Sequence, residues 1–197
     1  LWFGWFGFNV GSALAAVGVD LAAIAVTTLL SASAAAISSM TTSMISGKPD
    51  VGMTLNGALG GLVGITAGCA NVNNLCAVLI GIVSGVILVF SSNLLEKNGI
   101  DDAVGAISVH AICGTWGVLA VAIFDITDGL IYGGTSLLVP QLIGAISIGL
   151  WAYITSFISF KIIDSLIGVR VSSEEEMAGL DLSEHGSIAY GDFLLKS

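Results

Sequence analysis

The chain has 197 residues and a mass of 20.0 kDa; 55% of the residues are hydrophobic, 10% are charged, and the mean hydropathy is +1.00. Soluble domains carry roughly 25% charged residues. Of the charges present here, 9 lie in the last 34 residues. Residues 1–163 therefore cannot build a charged shell, and lipid is their solvent. A net charge of −9 with five scattered cations offers no basic patch and argues against nucleic acid as a partner.

Six apolar segments follow from the spacing of charges and about 20 residues per membrane span: 1–17, 21–46, 52–70, 75–95, 103–124 and 138–163. Each runs unbroken, unlike the ten-residue alternation of a membrane barrel. This predicts an all-α integral membrane protein with a transmembrane region over 1–171 and a soluble tail over 172–197.

Leu1 opens inside an apolar run, with neither an initiator Met nor a basic leader before it. The expectation is a cut through a helix, with the chain as the C-terminal part of a longer protein. In this first segment Trp5, Phe8 and Ser12 recur at i, i+3 and i+7, within about 60° of one another around a helix. Ring faces attract a cation and a hydroxyl accepts an N–H, so this stripe is a candidate cation site. A packing face, or an interfacial aromatic belt with Trp2 and Phe3, accounts for the same residues.

The second segment is long enough to tilt or to project from the bilayer. The third carries Gly57, Gly60, Gly61, Gly64 and Gly68, with pairs four residues apart, and Gly81 and Gly85 repeat the spacing in the fourth. One turn separates each pair, so small faces let neighbouring helices approach closely. Packing alone explains these glycines. Cys69, Cys76 and Cys113 form no metal-binding pattern and read as buried free thiols.

The fifth segment differs. Asp101 and Asp102 precede it, suited to capping a helix start. His110 lies near its middle and is the sole acidic or basic side chain between Asp102 and Asp125. An ionisable group inside a membrane is a functional candidate. Ala106, Gly114 and Gly117 stand at −4, +4 and +7 and are expected on the same helix face, leaving room for a small ligand. A neutral imidazole offers one donor and one acceptor nitrogen, and a dry surrounding disfavours its charged form.

The cations set the orientation. Lys48, Lys97, Lys161, Arg170 and Lys196 all fall on one side of the six-span arrangement, which the positive-inside rule makes cytoplasmic. Both chain ends then face the cytoplasm. The tail holds Glu174, Glu175 and Glu176. Its apolar positions Met177, Leu180, Leu182, Ile188, Tyr190 and Phe193 suit a docked rather than a free segment. No metalloprotease, nucleotide-binding or serine-hydrolase motif is present, so neither an enzyme, a metal nor a cofactor is called for.

Several runs together resemble the ammonium transporter (Amt/methylammonium permease) family. They are residues 5–12 (WFGFNVGS), Gly47-Lys48-Pro49, residues 56–69 (NGALGGLVGITAGC), Asp101-Asp102, Val109-His110 with Cys113-Gly114, and Gly179-Leu180-Asp181 with His185-Gly186 and Ala189-Tyr190. Many relatives carry Pro after the paired acids, where this chain has Ala103-Val104. The resemblance implies a fold of two inverted five-helix halves, with a pore in each protomer of a homotrimer. The six spans would be the second half plus the final long helix.

The same resemblance implies residue roles. Trp5, Phe8 and Ser12 would lie on the pore-lining helix, Phe8 would be one of two Phe gates, Ser12 would belong to the outer ammonium site, and His110 would be one of two lumen histidines; the other histidine, the second gate and the outer-site Trp would lie in the first half of the fold. Ammonium, with methylammonium as its analogue, would be recruited outside, deprotonated, and passed on as ammonia. The tail would be regulatory, a docking place for a neighbouring protomer or partner, and a phosphate on Ser183 would add negative charge beside Asp181 and Glu184. A Rhesus-type channel for ammonia or carbon dioxide and an ammonium sensor signalling through the tail are the alternatives. The membrane expected is the plasma membrane.

Overall fold

A computed structural model describes residues 1–189, and all regular structure among them is helical. Tyr190 and Phe193, expected as tail-docking positions, and Lys196, one of the orienting cations, lie outside the described residues. The chain forms two compact units, residues 1–149 and residues from 150 onward.

The first unit is built on helices α1 (Trp2–Gly11), α2 (Leu21–Ser43), α3 (Val51–Thr66), α4 (Asn74–Lys97), a π-helical turn (Ile107–Ile112), α5 (Cys113–Phe124) and the start of α6 (Leu138–Ile167). Short polar side chains begin most of these. The Asp20 carboxylate accepts from the Ala23 amide at 2.9 Å, Asp50 from Met53 at 2.6 Å, and the Asn73 side-chain oxygen from Cys76 at 2.9 Å. Each satisfies an amide that a helix start leaves open.

Four helical stretches are long and apolar enough to cross a membrane: Leu21–Ser43, Asn74–Lys97, Ile107–Phe124 and Leu138–Ile167. Two of the six expected spans are shorter than hydropathy suggests. Helix α1 stops at Gly11 rather than residue 17, closed by tight turns in which the Ala13 and Leu14 amides donate to the carbonyls of Val10 and Gly11. Leu14 then takes a positive φ of 53°. Helix α3 ends at Thr66, and at 16 residues it rises about 24 Å. Residues 12–17 and 67–70 are apolar but not helical, because hydropathy records the solvent and not the hydrogen bonding.

The two glycine faces of α3 pack against different neighbours. A Cβ built on Gly61 would lie 2.5 Å from both Ala35 Cβ and the Ser31 carbonyl oxygen, and one on Gly57 would strike Ser39, so this face meets α2. Gly60 faces Leu88 and Cys113, and Gly64 faces Ser84 and Trp116, so the other face meets α4 and α5. Gly81 of α4 approaches the Ser31 backbone and Gly85 that of Ala35. Helix α2 is thus held at backbone contact by both α3 and α4, as the small-residue spacing predicts.

Hydroxyls bridge these contacts. Ser31 Oγ donates to the Gly61 carbonyl at 2.8 Å, and Thr27 Oγ1 to the Cys69 carbonyl at 2.7 Å. Two apolar clusters lie at opposite ends of α3. One gathers Ile24, Ile65, Val72, Cys76 and Ile80; the other gathers Leu88, Val89, Val109 and Cys113. All three cysteines are buried free thiols.

A latch joins the α3–α4 and α5–α6 connections. The buried Asp125 carboxylate accepts from the amides of Thr127 and Asp128 at 2.8 and 2.9 Å and from Asn71 Nδ2 at 3.1 Å. The Ile126 amide donates to the Asn71 carbonyl. Burial pushes this carboxyl up, but the donors from Asp128, Thr127 and Asn71 outweigh it and hold Asp125 below the ordinary carboxylate range.

In the second unit, Tyr153 stacks on Phe157 at 6.3 Å, and Lys161 Nζ lies 5.9 Å from the Phe157 ring centre. Helices α7 (Ser173–Ala178) and α8 (Leu180–His185) follow. Ser172 and Glu175 cap each other's backbone at the start of α7, and Arg170 grips Glu176 with two nitrogens. The Ser172 hydroxyl and amide hold the Glu175 carboxyl below its usual range.

Candidate functional site: a helix stripe and a π-turn histidine

Helix α1 is fastened to its neighbours by two long-range hydrogen bonds that fix the rotation of its stripe. Trp5 Nε1 donates to Thr66 Oγ1 of α3 at 2.9 Å, and Asn9 Nδ2 donates to Thr28 Oγ1 of α2 at 3.0 Å. Each acceptor hydroxyl in turn donates one turn back, to the Leu62 and Ile24 carbonyls. The Trp5 indole is therefore locked by its N–H, and its ring meets Phe8 edge-on, with centroids 5.5 Å apart and planes at 68°.

Phe8 remains 52% exposed. Ser12 is exposed, and its hydroxyl donates to the Phe8 carbonyl at 2.6 Å. That bond uses the one hydroxyl proton, so what Ser12 presents outward is a lone pair. An acceptor oxygen on the turn after a pair of aromatic rings suits an N–H cation better than a neutral acceptor.

Sequence reasoning passed over Asn9 and Thr66. Asn9 is 2% exposed, and its side-chain oxygen is buried without a partner among the described residues. Both residues line, with Ser12, Ile24 and Cys69, a cavity of about 250 Å³ behind the stripe. The available signal was two polar side chains, Asn9 and Thr28, inside apolar segments.

His110 sits in the π-helical turn Ile107–Ile112, with its side chain exposed on this chain. The turn's other side is anchored: Ser108 is fully buried and Val109 is 2% exposed, packed with Leu88 and Cys113. The wide turn changes the expected company of the imidazole. Gly117 does not share its face. A Cβ there would lie 2.5 Å from the Gly64 carbonyl oxygen, so Gly117 is a contact with α3. Gly114 is half-buried, with Val63 3.5 Å from where its Cβ would be. Ala106 is exposed like His110, as expected, and so are Ala111 and Thr115; a π turn takes more than four residues where an α turn takes 3.6.

The stripe and His110 share no hydrogen bond or ring contact among the described residues. Trp5 is tied to Thr66 at the end of α3, while Cys113, one turn beyond His110, lies against Gly60. Six residues of α3 separate these levels, a rise of about 9 Å. A larger cavity of about 490 Å³ lies at the other end of α3, lined by Asp50, Asn56, Glu96, Asp101 and Asp102. Ser183, the expected regulatory residue, is exposed on α8, between Asp181 and Glu184.

An all-helical bundle with apolar spans and backbone-close glycine contacts defines the class of a helical integral membrane protein. The family follows from comparison: residues 1–190 match the model of the Ammonium Transporter Family, and the chain belongs to that family. It is an integral membrane protein. Among its relatives is "Ammonium transporter Amt2" of Archaeoglobus fulgidus, 47% identical over 207 aligned residues, covering 98% of this chain and 44% of the relative. A "Putative ammonium transporter" of Synechocystis is 43% identical over 198 residues, covering 97% and 43%.

Solved structures agree. A "Sensor Amt Protein" superposes with a TM-score of 0.85 at 34% identity, over 94% of this chain and 47% of that one. The N240A mutant of Candida albicans Mep2 gives 0.80 at 28%, over 96% and 45%. The chain spans about half the length of the relatives it matches.

Proposed function

We propose that this chain supplies the outer cation site and one histidine of an ammonium-conducting pore. Ammonium is recruited at Trp5, Phe8 and Ser12. It gives up its proton to water on the outer side before entering the apolar interior, and ammonia passes His110. Desolvation drives this order: a bare ammonium ion pays a large penalty in a dry path, whereas ammonia pays little. His110 then offers a neutral ligand one donor and one acceptor.

The observation that carries this reading is the state of Ser12. With its proton spent on the Phe8 carbonyl, it presents an acceptor on the helix stripe that carries the paired Trp5 and Phe8 rings, which favours a cation over the gases of a Rhesus-type channel. The test is methylammonium uptake by a Ser12→Ala variant of the native gene product. The half-saturation concentration should rise about tenfold, the worth of one hydrogen bond to a charged group. An unchanged half-saturation concentration would overturn the cation site.

Three protomers, a plasma-membrane location and a cytoplasmic C-terminus complete the proposal. The sidedness rests on Lys48, Lys97, Lys161 and Arg170. A sensor role is the second reading, favoured by the likeness to a protein described as a sensor. It would use the tail, where a phosphate on Ser183 adds about −1.5 to −2 charge next to Asp181 and Glu184, undocks the segment and closes the pore.

A further inference from the structure

We propose that Asn56 is a positioning residue for His110, acting through a cross-helix joint at the entry to the π-helical turn; the inference rests on the reading that His110 borders the ammonia path. Three features meet at this joint. Asn56 Nδ2, on α3, donates to the Val104 carbonyl at 3.3 Å. Gly105 has a φ of +72°, and a Cβ on it would lie 2.6 Å from the same Asn56 nitrogen. The Asp102 carboxylate accepts from the amides of Ile107 at 3.0 and 3.1 Å and of Ser108 at 3.3 Å.

Each feature constrains one degree of freedom. Asp102 ties the first open amides of the turn. The left-handed Gly105 reverses the chain so that the turn starts where it does, and the residue there must be glycine both for its φ and for the space the Asn56 amide occupies. Asn56 supplies the link between this reversal and another helix. Without it, the entry to the turn is held by its own local bonds alone.

That matters because a π turn is a less favourable winding than an α-helix. Taking up its extra residue turns everything before it by about 100° relative to α5. Val109 and Ser108 would leave their buried places, and His110 would leave the exposed face. The joint opposes this rewinding from the entry side, while the cluster of Leu88, Val89, Val109 and Cys113 opposes it from within. Among the described residues Asn56 makes no hydrogen bond to Trp5, Phe8, Ser12 or His110; its effect passes through the backbone of residues 104–110.

The test uses the native gene product in nanodiscs. The imidazole nitrogen resonances of His110, identified by their loss in His110→Ala, are compared between wild type and Asn56→Leu, a neutral change of similar size. Asn56→Ser, too short to reach the Val104 carbonyl, is the milder second variant should the first not fold. The resonances should shift. Uptake per folded molecule should fall roughly tenfold, between the few-fold effect of one hydrogen bond and the hundredfold of an ångström's misplacement.

The two losses should also be non-additive, so that Asn56→Leu adds nothing in a His110→Ala background. Unmoved His110 resonances, or losses that multiply, would overturn the positioning role. Should His110→Ala alone leave uptake unchanged, the pore reading fails, and the resonances still decide whether Asn56 sets the geometry.

Discussion

Substituting Gly61 by alanine tests the packing that places both ends of the site. The new methyl would lie 2.5 Å from Ala35 Cβ and from the Ser31 carbonyl oxygen, and 3.0 Å from Ala32 Cα. Carbon atoms rest at about 3.5–4.0 Å, so α3 must retreat from α2 by about 1 Å. The neighbours are mostly backbone and cannot swing aside. The retreat also stretches the 2.8 Å bond from Ser31 Oγ to the Gly61 carbonyl beyond useful length. Overpacking costs about 1–3 kcal/mol and the lost bond about 1 kcal/mol. Alanine's better helix propensity returns up to about 1 kcal/mol. The net is a destabilisation of about 2 kcal/mol, readable by reversible denaturant titration in bicelles. Gly114→Ala is the internal control, because its Cβ would meet only a Val63 methyl at 3.5 Å; it should change stability by less than about 0.5 kcal/mol. Equal effects for the two variants would refute the claim that backbone contact between α2 and α3 sets this bundle.

Two other outcomes are expected. Asp125→Asn should weaken the latch between the two connections by about 1–3 kcal/mol at neutral pH. Because the native carboxyl titrates below its unfolded value, its stabilising contribution is present at neutral pH. It is lost as pH falls from about 4 downward through the lowered native value; acid titration of wild type should show this loss and the Asn variant should not. Ser183→Asp should lower uptake without changing the amount of folded protein in the membrane, and full uptake in that variant would count against regulation through α8.

What could be read from the residues alone was whatever depends on composition and short-range spacing. Residues 1–163 needed lipid, and the glycines four apart on α3 and α4 did mark close helix contacts, with Gly57 and Gly61 turned to α2 and Gly60 and Gly64 to α4 and α5. Asp101-Asp102 read as a helix start, and Asp102 does hold the first amides of the turn that bears His110. Helix ends were less legible. Residues 12–17 stay apolar after α1 has closed, and no proline or charge marks the stop.

The site was half visible for a related reason. Trp5, Phe8 and Ser12 share a face by simple periodicity. Asn9, Thr28 and Thr66 matter through partners 19 and 61 residues away in sequence, which no local pattern encodes. The π turn escaped because its cause is distributed. It depends on a left-handed glycine, an aspartate and an asparagine 48 residues upstream of its partner. Assuming a regular α-helix put Gly117 beside His110, whereas Gly117 packs against Gly64 of α3 and His110 is exposed.

The central claim, that His110 borders the path of ammonia, is tested most directly by methylammonium uptake into vesicles containing the native gene product and its His110→Ala variant. Uptake per folded molecule should be abolished, or should change in both rate and selectivity between ammonium and methylammonium. Identical rate and identical selectivity in the two proteins would contradict the account.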